Sequence, residues 1–321
     1  MKIGFMGGKF LPLHTGHLYA INLAKAYVDK LCVIVCYSKG QQYDHLLRAS
    51  WLGKKLAGIK NIEILTIEDT FDKNGDYQWK EGSEKIKDMI GEDISYIFSA
   101  EQTYDKIFKE LYPKAKHIIF DRSLVPISGT DIRRNPFKYW EYIPSEVKKH
   151  FTKRIAIIGP ESCGKSTMAK CLSEIYDTNY VGETGRNYCV DYHNQLTPEL
   201  FNEIAMKHYL LQSELSGKGN KLMFVDSEAI ITQYYHRAYF GYESKFIESI
   251  IDLQKFDLYL FLEPDIKWVD DGLRFLSENR KLESDKLKQM FDDRDVKYIT
   301  ISGNYADRLK RASEIVKKLG D

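Results

Sequence analysis

Two glycine-rich segments, each directly behind a short apolar run, carry residue types suited to handling phosphate. The first is Gly7-Gly8-Lys9-Phe10-Leu11-Pro12-Leu13-His14-Thr15-Gly16-His17, and it leads into an amphipathic stretch. The second is Gly159-Pro160-Glu161-Ser162-Cys163-Gly164-Lys165-Ser166, which fits GxxxxGK[ST] and follows Ile155-Ala156-Ile157-Ile158. The first spacing suits nucleotidyl transfer and the second suits phosphoryl transfer. A chain that carries both predicts two steps on nucleotides.

In the first segment Gly7 and Gly8 let the backbone approach a phosphate chain without a Cβ in the way. Gly16 and His17 open the next helix, whose N-terminal amides and dipole favour anions. His14 and His17 stand three apart, so both rings can serve one pocket and donate to phosphate oxygens. A pair of structural histidines at a helix start is the plainer reading of that motif alone. A second element, Pro126-Ile127-Ser128-Gly129-Thr130-Asp131-Ile132-Arg133, shifts the balance. Ser128 and Thr130 are natural capping residues, and Arg133 falls on the first turn, where a phosphate would dock.

In the second segment the loop from Gly159 to Gly164 predicts amides that cradle phosphates. Lys165 is placed to reach the β and γ oxygens, and the Ser166 hydroxyl to ligate Mg²⁺. Thr167 continues the motif into the helix. Downstream, Met223-Phe224-Val225-Asp226-Ser227-Glu228 is a hydrophobic strand that ends in acids. Asp226 there could bind the metal or take a proton from an attacking hydroxyl, with a capping role as the alternative. Arg274 and Arg280 stand in a glycine-bearing stretch and are candidate lid residues over the γ-phosphate.

The elements that must hold these motifs alternate along the chain. Strand candidates are Ile3–Met6, Leu31–Tyr37, Ile62–Ile67, Tyr96–Ser99 and His117–Asp121, then Arg154–Ile158, Leu222–Asp226, Leu258–Leu262 and Lys297–Ile301. Helical stretches such as His17–Val28, Tyr43–Leu56 and Ser166–Ile175 separate them. The alternation predicts an α/β protein of two parallel-sheet domains, over 1–152 and 153–321. With the motifs they carry, these read as a Rossmann-like nucleotidyltransferase domain and a P-loop kinase domain. Ligands of such sheets bind beyond the carboxyl ends of the strands, where both motifs lie. Asp72–Gly82 and Asp270–Glu283 read as loops.

The bulk properties narrow the class. A length of 321 residues favours two domains. Formal charge is +1, from 47 basic and 46 acidic residues, so no general field draws in nucleic acid. No apolar run approaches the ~20 residues of a membrane span, and the first strand candidate leaves no room for a signal peptide. The five cysteines, an odd set without CxxC spacing, read as free thiols of a cytoplasmic protein. Self-association is left open by the sequence.

The histidine motif and the Ser128–Arg133 segment together resemble the nucleotidyltransferase superfamily. That resemblance implies that Lys9, His14, His17 and Arg133 hold the triphosphate and the developing charge, with Ser128 and Thr130 assisting. It also implies adenine recognition by backbone near Phe98–Glu101. Combined with the second motif, the chain resembles the bacterial bifunctional nicotinamide-nucleotide adenylyltransferase/ribosylnicotinamide kinase family, the NadR type. The stretches that carry this are Gly8-Lys9-Phe10 with His14–His17, Pro126–Arg133 on through Trp140 and Ile143-Pro144, Gly159–Thr167, and Trp268–Arg274. The resemblance implies ATP-dependent phosphorylation of nicotinamide riboside, then adenylylation of the mononucleotide to NAD and pyrophosphate, with ATP and Mg²⁺ as requirements. Trp268, and more weakly Trp79, would face the pyridinium ring. Glu183 and Arg186 would contact riboside hydroxyls or phosphate. Two departures stand out. The helix-turn-helix of longer members is not seen ahead of the first strand, so no regulator role is expected. Asp226-Ser227-Glu228 replaces the usual Asp-Thr-Asp. The competing readings are a transferase for another acceptor fused to a different kinase, and an NAD-sensing module with degenerate sites.

Overall fold

The computed structural model describes residues 1–266 and 279–320. It divides into two units between Val147 and Lys148, ahead of the boundary after residue 152 read from the sequence. Each unit is built on one five-stranded, all-parallel sheet.

In the first unit the strands are β1 (Ile3–Gly8), β2 (Lys30–Tyr37), β3 (Ile62–Glu68), β4 (Ile94–Ser99) and β5 (Lys116–Ile119), ordered β3-β2-β1-β4-β5. The chain builds outward on one side of β1, then returns to build on the other. That reversal opens a crevice at the carboxyl ends of β1 and β4, the usual ligand position in such sheets. Alternating side chains explain the core. Ile3 and Phe5 of β1 pack with Cys32, Ile34, Ile67 and Ile97 on one face of the sheet. Each such apolar side chain taken from water contributes ~1.5–3 kcal/mol.

The second unit has β6 (Lys153–Ile158), β7 (Tyr180–Val181), β8 (Leu222–Asp226), β9 (Leu258–Leu262) and β10 (Ile299–Ile301), ordered β10-β9-β6-β8-β7. Its central strand is apolar without a break because both faces are covered. Ile155 and Ile157 pack into one cluster with Phe224, Leu260 and Leu262. Ala156 and Ile158 pack into the opposite cluster with Phe261 and Phe291. The register pairs Ile157 with Asp226, so the phosphate loop and the acid leave the sheet at one level.

Three local expectations need correction. Strand β7, only two residues long, offers no periodicity to read. The segment read as a loop up to Gly82 is already helical from Trp79, in the helix Trp79–Ile90. Gly82 and Ser83 are on its buried face, and a Cβ at Gly82 would meet the Tyr77 hydroxyl at 2.5 Å, so the glycine serves packing and does not break the helix. Likewise the helix Arg280–Asp292 begins inside the second expected loop, capped by Asn279, whose side chain accepts from the Leu282 amide.

Candidate functional site

The first site is assembled at the carboxyl edge of β1. Gly7 and Gly8 end that strand, and Lys9 follows with its side chain exposed. His14 is the N-cap of the helix Thr15–Lys25, and His17 lies on its first turn. Their rings stack with centroids 3.7 Å apart, and the His14 amide donates to His17 Nδ1 at 3.3 Å. Burial, aided by the nearby Arg122 charge, lowers the His14 pKa to about 4. Burial, His14 and Arg122 hold His17 well below its usual value. Both imidazoles are therefore neutral at pH 7, and their contribution to phosphate is a hydrogen bond, not a charge.

The positive charge comes from arginines. Arg133 donates through Nη1 to the Leu11 carbonyl and through Nη2 to Thr130 Oγ1 at 3.1 Å, so it ties the histidine loop to the late helix Gly129–Arg134. Ser128 caps that helix, accepting from the Asp131 amide at 3.1 Å. Gly129 is required where it stands, because a Cβ there would sit 2.4 Å from the Leu11 oxygen. The structure thus brings the two distant segments into one place.

Two cationic residues of this site were not read from the sequence. Arg48, fully buried on the helix His45–Lys55, donates to the carbonyls of Lys9 and Cys36 and so braces the loop from below. Arg122 follows β5 and pairs with Glu101 at 2.7 Å. Neither belongs to a motif, and only the tertiary fold brings either to the site. Trp79, by contrast, packs edge-on against Tyr77 and Tyr104.

Losing Arg133 should be costly, because charge develops on the leaving pyrophosphate. Arg133→Ala is expected to cut adenylylation turnover ~10²–10³-fold. Arg133→Lys should recover only part, since an ammonium lacks the bidentate fork. Near-normal turnover in Arg133→Ala, measured under single-turnover conditions, would remove the residue from the site.

The second site follows β6. Gly159 has φ 141°, and a Cβ there would meet the Leu262 oxygen at 2.5 Å, so the loop closes tightly over β9. Arg280 donates to the Ser162 carbonyl at 3.1 Å, and the buried Arg308 donates to the Cys163 carbonyl at 2.7 Å. Arg308, which no sequence motif marks, also binds the carbonyls of Glu263 and Gly303 and ion-pairs with Asp265. Two arginines thus hold the loop carbonyls. Trp268 and Arg274 lie outside the described residues.

Lys165 opens the helix Lys165–Ile175, is buried, and donates to the Pro160 carbonyl at 2.9 Å. Burial opposes its charge, but Cys163, Glu183, Asp226 and Glu161 outweigh burial and leave its pKa raised. Asp226, at the end of β8, is fully buried; neither carboxylate oxygen bonds the backbone, and the Ser166 hydroxyl faces the carboxyl. Burial and the Glu183 charge push its carboxyl up to about 6, against the pull of Lys165. A buried carboxylate is costly unless a ligand or cation meets it.

Glu228 behaves differently. Its carboxylate caps the helix Ala229–Phe240, accepting from Ile230 at 2.9 Å, from Ile231 at 3.2 Å and from Gln254 Nε2 at 2.6 Å. Its oxygens are thus committed to structural partners. Burial nonetheless drives this carboxyl up to about 7 from 4.5. The folded chain then holds more protons than the unfolded one between those values. Its contribution is full below about pH 4.5 and is lost as pH rises through about 7. The melting-temperature advantage of wild type over Glu228→Gln should therefore shrink from about pH 5 to about pH 8. A constant difference would contradict this.

A cavity of about 370 Å³ joins these parts. Its walls include Lys165, Ser166 and Thr167 of the phosphate loop helix, Glu183 and Arg186, and the side chains Phe201, Tyr235 and Tyr239. Ser166 and Thr167 are solvent-exposed at its mouth, and Glu183 and Arg186 come from the segment directly after β7. Phosphate-loop residues, charged side chains and three aromatic rings thus share one space.

Comparison with known proteins fits both halves. Residues 5–135 match the cytidylyltransferase-like family, and residues 154–308 match the AAA domain family. The chain is 33% identical to the trifunctional NAD biosynthesis/regulator protein NadR of Salmonella typhimurium, over 99% of this chain and 83% of that protein. The crystal structures of a NadR protein in complex with NR, and in complex with NAD and AMP-PNP, each superpose with a TM-score of 0.83 at 22% identity. Each covers 99% of this chain and 96% of the solved one, a likeness of fold throughout.

Proposed function

The chain belongs to the NadR family of NAD biosynthesis proteins, and from that premise we propose that its two sites run consecutive reactions. It is an enzyme of NAD biosynthesis, with nicotinamide-nucleotide adenylyltransferase and ribosylnicotinamide kinase activity. The observation that carries the assignment of roles is the second-unit cavity, where Lys165 and Ser166 share one space with Glu183, Arg186 and aromatic side chains, and the buried Asp226 stands against Ser166.

In the kinase step ATP lies along the phosphate loop, with Lys165 on the β and γ oxygens. Asp226 is set to hold the metal shell or to accept the proton of the riboside 5′-hydroxyl, and either role needs its charge. Its buried carboxylate fits a cation, with the Ser166 hydroxyl as a second ligand. Bound Mg²⁺ would supply charge neutralisation along the phosphates. Glu183 and Arg186 orient the ribose, and Arg280 and Arg308 keep the loop in place.

In the adenylyl step the neutral pair His14 and His17, with Lys9 and Arg133, holds the triphosphate of a second ATP. Ser128 and Thr130 support Arg133. The mononucleotide phosphate attacks the α-phosphorus, and pyrophosphate leaves. No covalent intermediate on the enzyme is needed, so positioning and fixed charge supply the rate. The substrates are small molecules, and no described helix is long and apolar enough to cross a membrane. A reducing cytoplasmic setting suits five free cysteines. The test is conversion of nicotinamide riboside and ATP with Mg²⁺ into mononucleotide and NAD by the purified chain. Absence of both products would sink the reading.

A further inference from the structure

The chamber of the second unit contains a side chain that no step above uses. His208 lies on the helix Pro198–Leu215 and lines the same cavity as Lys165. It is only 4% exposed, and its Nε2 is buried without a hydrogen-bond partner. Phe201, Ile204 and His208 share one face of that helix, and Ile231, Tyr235 and Tyr239 share one face of the helix Ala229–Phe240. The two faces meet across the cavity, where the Phe201 and Tyr239 rings stand 5.6 Å apart.

A chamber with Phe201, Tyr235 and Tyr239 in its walls, and with unpartnered polar atoms on His208, Thr184 and Ser227, suits a flat ring bearing polar substituents. A pyridinium ring gains from the aromatic faces. Burial lowers the His208 pKa to about 4, so the imidazole is neutral and does not repel a cation. A neutral imidazole offers one donor and one acceptor, and a carboxamide offers the complement of each.

Resting on the riboside-kinase reading, we propose that His208 is the recognition residue for the carboxamide of the pyridinium riboside. On this account it sets preference for the amide over an unsubstituted ring. A competing account makes His208 a structural partner of Gln212, one turn on, which is fully buried with both amide atoms unpartnered.

Calorimetric binding of nicotinamide riboside and of N-ribosylpyridinium, which lacks the carboxamide, to the wild-type chain tests this without any variant. The amide should bind about tenfold more tightly, on the order of what one neutral hydrogen bond to a buried group is worth. In His208→Phe that ratio should fall toward one, and His208→Gln should restore part of it. Equal affinities in wild type, or an unchanged ratio in His208→Phe, would overturn the proposal. A lower melting temperature with an unchanged ratio would assign His208 to Gln212 instead. If ADP forms with neither riboside, the kinase reading itself fails, and the proposal with it.

Discussion

Replacing Lys165 with alanine is expected to reduce riboside phosphorylation by ~10³–10⁵-fold, the range for a charge delivered to a transferring phosphoryl group. Two effects combine. The ammonium on the β and γ oxygens is removed, and so is the cation that holds down the Asp226 carboxyl, already pushed up to about 6. Asp226 should then be more protonated at neutral pH, further depleting the charged form that the step requires. Adenylylation of supplied mononucleotide should continue at close to the wild-type rate, because the histidine loop belongs to the other unit. Loss of both activities from a folded Lys165→Ala protein would contradict separate sites.

Asp226→Asn separates chemistry from structure more sharply. No hydrogen bond joins the carboxylate to the backbone, and what faces it are the Ser166 hydroxyl and the Lys165 and Arg186 charges. Riboside phosphorylation should fall by ~10²-fold or more, the lower range for a lost general base. The melting temperature should hold steady or rise, since a buried carboxylate gives way to a neutral group of the same shape. Single-turnover phosphorylation and thermal unfolding on one preparation decide it. A stable variant with intact turnover would leave catalysis to the phosphate loop alone. Glu228 could not take over, with its oxygens committed to Ile230, Ile231 and Gln254.

Much of this architecture was legible because the signals are local. The unbroken apolar run of β6 announces a strand buried on both faces, and the glycines and basic residues behind it mark the phosphate loop. The pairing of the histidine loop with the Ser128–Arg133 segment could be inferred from residue type, although the contact that joins them spans 122 positions. What stayed hidden depends on neighbours remote in sequence. Arg48, Arg122 and Arg308 look like ordinary charges on helices or loops until the fold carries them to loop carbonyls or the histidine pair. His208 shares a helix face with Phe201 and Ile204, and its burial beside the chamber shows only in the fold. Gly82 misled because a glycine tolerated for packing reads in sequence like one that ends a helix. The neutrality of His14 and His17 also follows from burial and a neighbouring arginine, neither of which spacing reveals.

The central claim is that one chain carries two separable, consecutive activities linked by a released mononucleotide. The most direct measurement is NAD formation from nicotinamide riboside, ATP and Mg²⁺ by Lys165→Ala alone, His17→Ala alone, and an equal mixture of the two. Lys165→Ala alone should leave the riboside unconverted, and His17→Ala alone should stop at the mononucleotide. The mixture should yield NAD, because the product of one variant feeds the intact site of the other. NAD from either variant alone at the wild-type rate, or none from the mixture when both variants are folded, would contradict the account.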